Sequence, residues 1–103
     1  MPIDILDVVS SPKPYKRFRI KIKEGDKIKH FDFGLDTGST YIDHKDKQKR
    51  EAYRKRHYAN RSEKRLIDNL IPSPALFSYY LLWGNSTDFF ENLNKLQAEF
   101  NKI

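Results

Sequence analysis

The sequence predicts an α+β domain: an N-terminal antiparallel β-hairpin or small sheet followed by three to four α-helices. Three observations predict it. Residues 15–23 alternate apolar and basic with period two. Glu24-Gly25-Asp26 is a turn after which residues 27–34 return as a second extended run. Beyond Asp43 the pattern becomes helical, most clearly where Phe89, Leu93, Leu96 and Phe100 fall at i, i+4, i+7 and i+11.

Taken in order, residues 2–9 are apolar with interspersed Asp. They read either as a short edge strand or as an ordered arm that adds a strand to a neighbour's exposed sheet edge. Ser10-Ser11-Pro12-Lys13-Pro14 reads as a linker, because each proline biases its predecessor to extended geometry. Residues 1–14 are therefore set apart as arm and linker from a single domain over 15–103. In residues 15–23, Phe18, Ile20 and Ile22 face one way and Arg17, Arg19, Lys21 and Lys23 the other. Burying three apolar side chains requires the first set to face inward. In the return strand the apolar phase shifts between Ile28 and Phe31-Phe33, which predicts a bulge near His30. Residues 34–40 form a loop and Tyr41-Ile42 resumes a short strand. Asp43 is the expected N-cap of a basic helix from about His44 to Asn60. Ser62 opens a shorter helix with Leu66, Ile67 and Leu70 that stops before Pro72. Ser73-Pro74 is an N-cap followed by proline at the first helical position. The helix it opens, residues 75–83, is almost wholly apolar or aromatic. Gly84 or Asn85 ends it, and Ser86 opens the last helix.

A chain of 103 residues holds one small core, which leans readily on a partner or on homo-oligomerisation. Lys and Arg total 20 against 14 acids. The resulting +6 favours an acidic partner: nucleic acid, a membrane surface or an acidic protein patch. The absence of cysteine excludes disulfides and thiolate zinc sites. No apolar run approaches the roughly 20 residues of a membrane span, and the N-terminus lacks the basic region of a secretory signal. The expectation is a soluble protein made in the cytosol, in which the sequons at Asn60 and Asn85 are chance matches.

Asp36-Thr37-Gly38-Ser39, preceded by Phe33-Gly34-Leu35, resembles the active-site loop of aspartic proteases, where two aspartates share one proton. The chain length suits a dimeric protease of that kind. The rest of the sequence opposes it: the protease fold is nearly all β, and its glycine-rich flap and second apolar-apolar-Gly segment are missing. Asp-Thr-Gly-Ser is also ordinary turn chemistry. The expectation is that Asp36 is structural and that the chain is not an enzyme.

Within residues 44–58 the cations Lys47, Lys49, Arg50, Arg54, Lys55 and Arg56 spread around a helix on which Tyr53 and His57 form a narrow aromatic seam. They are the candidate contacts to nucleic acid or to an acidic partner, and the alternative is a merely solvated face. Arg50, Arg54 and Lys55 are expected off the seam and in solvent. His44, Asp46 and His57 have no spacing that suits a metal ion, since His44 and Asp46 point to different helix faces. No cofactor is implied.

The segments Phe33-Gly34, Tyr41, His44-Lys45-Asp46, Arg50-x-x-Tyr53-x-x-Arg56-His57 and Leu81-Leu82-Trp83-Gly84-Asn85 together resemble a family of small uncharacterised proteins of large double-stranded DNA viruses. The resemblance covers residues 15–85. Asp36-Thr37-Gly38 is not part of its pattern, and Gly84 interrupts its Trp-Asn pair. It implies a viral protein made in the host cytoplasm and located in the virion, as a minor capsid or cement-like component. In that role the basic hairpin face and basic helix meet capsid or other virion proteins, or the packaged genome. A nonspecific nucleic-acid-binding protein is the alternative, and a dimeric protease using Asp36 the third reading.

Overall fold

Strand alternation and one turn organise the N-terminal half. The computed structural model describes residues 3–102, so Pro2, the first residue of the expected arm, lies outside it. Three strands, β1 (Ile3–Ser10), β2 (Lys16–Glu24) and β3 (Lys27–Leu35), form an antiparallel sheet in the order β1-β2-β3. Gly25, at φ 61°, opens the tight β2–β3 turn where a side chain would be strained. Ile20 and Ile22 are fully buried and Phe18 half-buried, in the predicted phase.

The bulge lies elsewhere than expected. The β2–β3 register runs unbroken from Lys16↔Leu35 to Glu24↔Lys27, so no residue is inserted at His30. The phase break there is an isoleucine on the solvent face: Ile28 pairs with Lys23 and is 56 % exposed. The irregularity falls between Ile5 and Asp7 of β1, where Leu6 is the extra residue. It lets Ile5 and Val8, three apart, both sit on the core face opposite Ile22 and Ile20.

Residues 3–10 are thus an edge strand of the chain's own sheet rather than a separate arm. Ile3 is buried, and Gln97 imitates a neighbouring strand on the free edge. The Ile5 N–H donates to Gln97 Oε1 at 2.7 Å, and Gln97 Nε2 donates to the Ile3 carbonyl at 2.9 Å. The first stretch of the edge is covered in this way.

Five helices follow. Residues 41–44 are not a strand: α1 (Tyr41–His44) is a single turn, because Thr40 and Asp43 form a capping box. Asp43 therefore belongs to this turn. Lys45, at φ 59°, ends it, and Asp46 caps the basic helix α2 (Lys47–Ala59). Asn60, not Ser62, caps α3 (Arg61–Asp68) by accepting from the Ser62 and Glu63 N–H groups. Leu70 lies beyond that helix at φ 51°. Ser73 caps α4 (Pro74–Phe77) as expected. The chain then widens into a π-helical segment, Ser78–Leu82, closed by the Trp83 N–H on the Ser78 carbonyl at 3.1 Å. Asp88, not Ser86, caps α5 (Phe89–Asn101).

The core lies between the inner sheet face and the layer formed by α4, the π segment and α5. Ile20, Ile22 and Phe33 meet Phe77, Leu81, Leu82, Leu96 and Phe100 there. The α2–α3 pair joins that layer through α4 and through Tyr53 on Trp83 and Tyr58 on Tyr79. Among the described residues, no helix is long and apolar enough to cross a membrane.

Candidate nucleic-acid interface

One stripe of α2 holds the helix in place. Arg50, Tyr53, Arg54 and His57 fall at i, i+3, i+4 and i+7 and share one face. Tyr53 stacks on Trp83, with ring centroids 4.2 Å apart and planes within 7°. His57 covers the other face of Tyr53 at 4.0 Å, and His44 lies against Trp83 at 5.3 Å. Burial, and secondarily the Glu63 charge, pushes the Tyr53 hydroxyl up to about 12. His57 Nδ1 contacts the Glu63 carboxylate. His44 Nδ1 accepts the Asp46 N–H at 2.9 Å, so the neutral ring carries its hydrogen on Nε2, which is buried without a partner.

Arg50 and Arg54 belong to this inward stripe and not to solvent. Arg50 Nε donates to the Gly84 carbonyl at 2.6 Å, and its terminal nitrogens reach Asn85 Oδ1 at 2.5 Å and Glu51 Oε1 at 2.6 Å. Only 12 % of its side chain is exposed. The Arg54 guanidinium lies 4.3 Å from the centre of the Tyr79 ring and donates to Asn85 Oδ1 at 3.3 Å. The turn after the π segment presents the Gly84 carbonyl and the Asn85 side chain beside α2; Arg50 satisfies the first and both arginines share the second. The Asn85 side chain of one predicted sequon is engaged by both arginines, and that of Asn60 caps a helix.

The other four candidates stand free. Lys47, Lys49, Lys55 and Arg56 are exposed, and none makes an ion pair among the described residues. They bracket the small side chain of Ala52. A shallow depression of about 410 Å³ lies between Lys47, Gln48, Glu51, Ala52 and Lys55. Another, of about 360 Å³, runs past Lys49, Ala52 and Arg56 to Ser39, His44 and Trp83.

The basic face of β2 is different. Register sets Asp4 opposite Lys23, Asp7 opposite Lys21 and Asp32 opposite Arg19. Arg19 Nε donates to Asp32 at 3.0 Å, and Ser11 Oγ donates to the same carboxylate at 2.6 Å; these bonds bring Asp32 down to about 2. Sequence reading counted the cations of β2 but missed the acids that pairing brings beside them.

Asp36 is exposed, in the turn that ends β3, where its N–H donates to the Tyr15 carbonyl at 3.2 Å. Next to Asp36, the residues Gly34, Leu35, Gly38, Ser39 and Thr40 wall one side of a cleft of about 460 Å³ whose other walls come from β2, α2, α3, α4 and the π segment with Trp83. Gly34 is forced by packing as well as by φ 77°, since a Cβ there would lie 2.9 Å from Leu82 Cδ1. Among the described residues, no group of three His, Asp or Glu side chains is placed to hold a metal ion.

Residues 6–57 match the sequence pattern of a family described as a family of unknown function (DUF5754), and this match takes in half of the chain. The chain belongs to the DUF5754 family. Its matched segment runs from β1 to the end of the Arg50–His57 stripe, and so contains all six α2 cations and the 34–40 loop. Trp83, on which the DUF5754 helix is stacked, lies beyond it. No curated protein and no solved structure matches the chain.

Proposed function

We propose that this chain is a small basic binding protein, without catalytic function, whose α2 outer face contacts the phosphates of nucleic acid. The observation that carries the reading is the division of α2. Arg50 and Arg54 are consumed inside the fold, while Lys47, Lys49, Lys55 and Arg56 stand exposed and unpaired around Ala52. Cations that pair with no acid among the described residues are free to release counterions when they meet a polyanion. If the protein sits in a virion, as the viral resemblance implies, the packaged genome is that polyanion.

The test is a salt titration of affinity for duplex DNA. Log affinity should fall linearly with log salt by nearly one unit per phosphate contact. Replacing Lys47, Lys49, Lys55 and Arg56 with Gln should flatten the line and leave the melting temperature in place. Affinity that is negligible at low salt in the wild type would sink the reading.

A second observation favours a protein partner. Leu6, Val9 and Phe90 are 47 %, 48 % and 71 % exposed around a groove of about 550 Å³ between β1 and α5. An apolar strip of this kind suits attachment to another protein, which in the virion reading is a capsid subunit. Leu6→Glu with Phe90→Glu should abolish co-sedimentation with purified particles while leaving DNA affinity intact.

A further inference from the structure

The cleft beside Arg56 is not needed for the α2 outer face to bind phosphates. Its volume of about 460 Å³ falls within the range of small-ligand pockets. The walls differ in chemistry. Leu82, Trp83, Pro74 and Ala75 make one apolar side. Lys16 from β2 and Arg56 from α2 supply cations at the rim, and neither makes an ion pair among the described residues. The His57–Glu63 pair supplies a carboxylate. Arg56, Ser39 and Trp83 also line the neighbouring depression, which leads to Lys49 on the outer face. Lys49, Ala52 and Arg56 fall at i, i+3 and i+7, one stripe of α2 running to the cleft mouth.

We propose that this cleft is a nucleotide site, taking one unpaired base against the Trp83–Leu82 wall with its phosphate on Arg56 and Lys16. Glu63 sets the orientation: its carboxylate repels a phosphate and accepts from the amino or ring N–H of a base. The base therefore enters and the phosphate stays at the cationic rim. A paired base cannot enter, because it is stacked inside the duplex. The occupant is a free mononucleotide or one nucleotide of a single strand. The strand form rests on the α2 reading above, since Lys49 would deliver the chain to the cleft; the mononucleotide form does not.

Trp83 is the only tryptophan in the chain, so its fluorescence reports the cleft directly. Adenosine 5′-monophosphate should change that fluorescence saturably, and inorganic phosphate should not. A single-stranded oligonucleotide should bind about tenfold more tightly than a duplex of equal length, the usual scale for one held base. Two variants fill the cleft: Ala75→Leu from the helix side, and Ser39→Tyr from an exposed loop position. Either should remove the mononucleotide response and the single-strand preference, while the salt-dependent affinity for duplex stays. A mononucleotide response without oligonucleotide binding supports the cleft and removes the α2 reading. Salt-dependent duplex binding without a mononucleotide response or single-strand preference does the reverse. A single-strand preference that survives both filling variants overturns the proposal.

Discussion

Arg50 Nε donates to the Gly84 carbonyl, and its guanidinium also reaches Asn85, so truncating it leaves polar groups of that turn without their donor. Charge-assisted bonds of this kind contribute roughly 1.5–3 kcal/mol each. Arg50→Ala should therefore cost about 2–4 kcal/mol in a urea titration, while Lys55→Ala, at an exposed position on another face of α2, should stay within about 0.5 kcal/mol. Equal costs would place Arg50 in solvent. Two aspartates supply a second residue-level test. Arg17 grips Asp43 with two bonds of 2.7 and 2.8 Å and, with help from Thr40, holds its carboxyl well below the usual range. Arg19 and Ser11 bring Asp32 down to about 2. A carboxylate lowered by folding stabilises the native state above its unfolded value of about 4 and loses that effect as pH falls through the native value. Stability should thus be level from neutral pH to about 4 and decline toward about 2. Asp43→Asn should lower the neutral plateau and flatten the acid decline. An unchanged profile would mean that Arg17 contributes nothing through it.

At the scale of elements, the packing of the π segment depends on Gly84. A Cβ there would lie 2.2 Å from the Tyr80 carbonyl and 2.7 Å from Asn92 Oδ1, both held by their own structure. Asn92 is buried and donates to the Leu81 carbonyl at 3.1 Å and the Ser86 carbonyl at 2.8 Å, so it cannot yield without orphaning them. Gly84→Ala should cost several kcal/mol or prevent folding, whereas Gly38→Ala, in an exposed turn where the new Cβ would meet Leu35 Cβ at 3.3 Å and needs a shift of only a few tenths of an ångström, should cost far less. The elements differ in how much of this the sequence reveals. The β2–β3 hairpin and the α5 stripe are legible from their apolar periods, and the start of α4 from the cap chemistry of Ser73-Pro74. Half of the α2 stripe, Tyr53 and His57, is legible from its spacing; Arg50 and Arg54 on the same face hide because a search for apolar periodicity passes over arginine. The Thr40–Asp43 capping box is readable from its spacing, but the apolar, β-prone Tyr41-Ile42 pair predicts a strand there and moves Asp43 to the cap of the next helix. The π segment has no local signature of this kind.

For the whole molecule, the candidate site was half legible: the sequence locates the cations and cannot say which of them the fold consumes. Tertiary pairing decides that, through Gly84 and Asn85 for α2 and through Asp43 and Asp32, which hold Arg17 and Arg19, for β2. The consequence is an uneven surface on a molecule of net charge +6. On the outer sheet face, Lys21 and Lys23 each stand directly opposite an aspartate of β1, so a phosphate approaching them meets acids as well as cations. On the outer face of α2, the acid beside Lys55 is Glu51, which Arg50 already holds, and among the described residues Lys49 and Lys55 make no ion pair. Two double variants remove the same charge from the two faces. Lys49→Gln with Lys55→Gln should reduce the slope of log affinity against log salt by about two units, because two counterions are no longer released. Lys21→Gln with Lys23→Gln should leave that slope unchanged and lower affinity only by the weak long-range effect of net charge, which salt screens beyond about 10 Å. Equal losses from both pairs would show that net charge alone draws the polyanion, and that the division of cations on α2 does not direct binding.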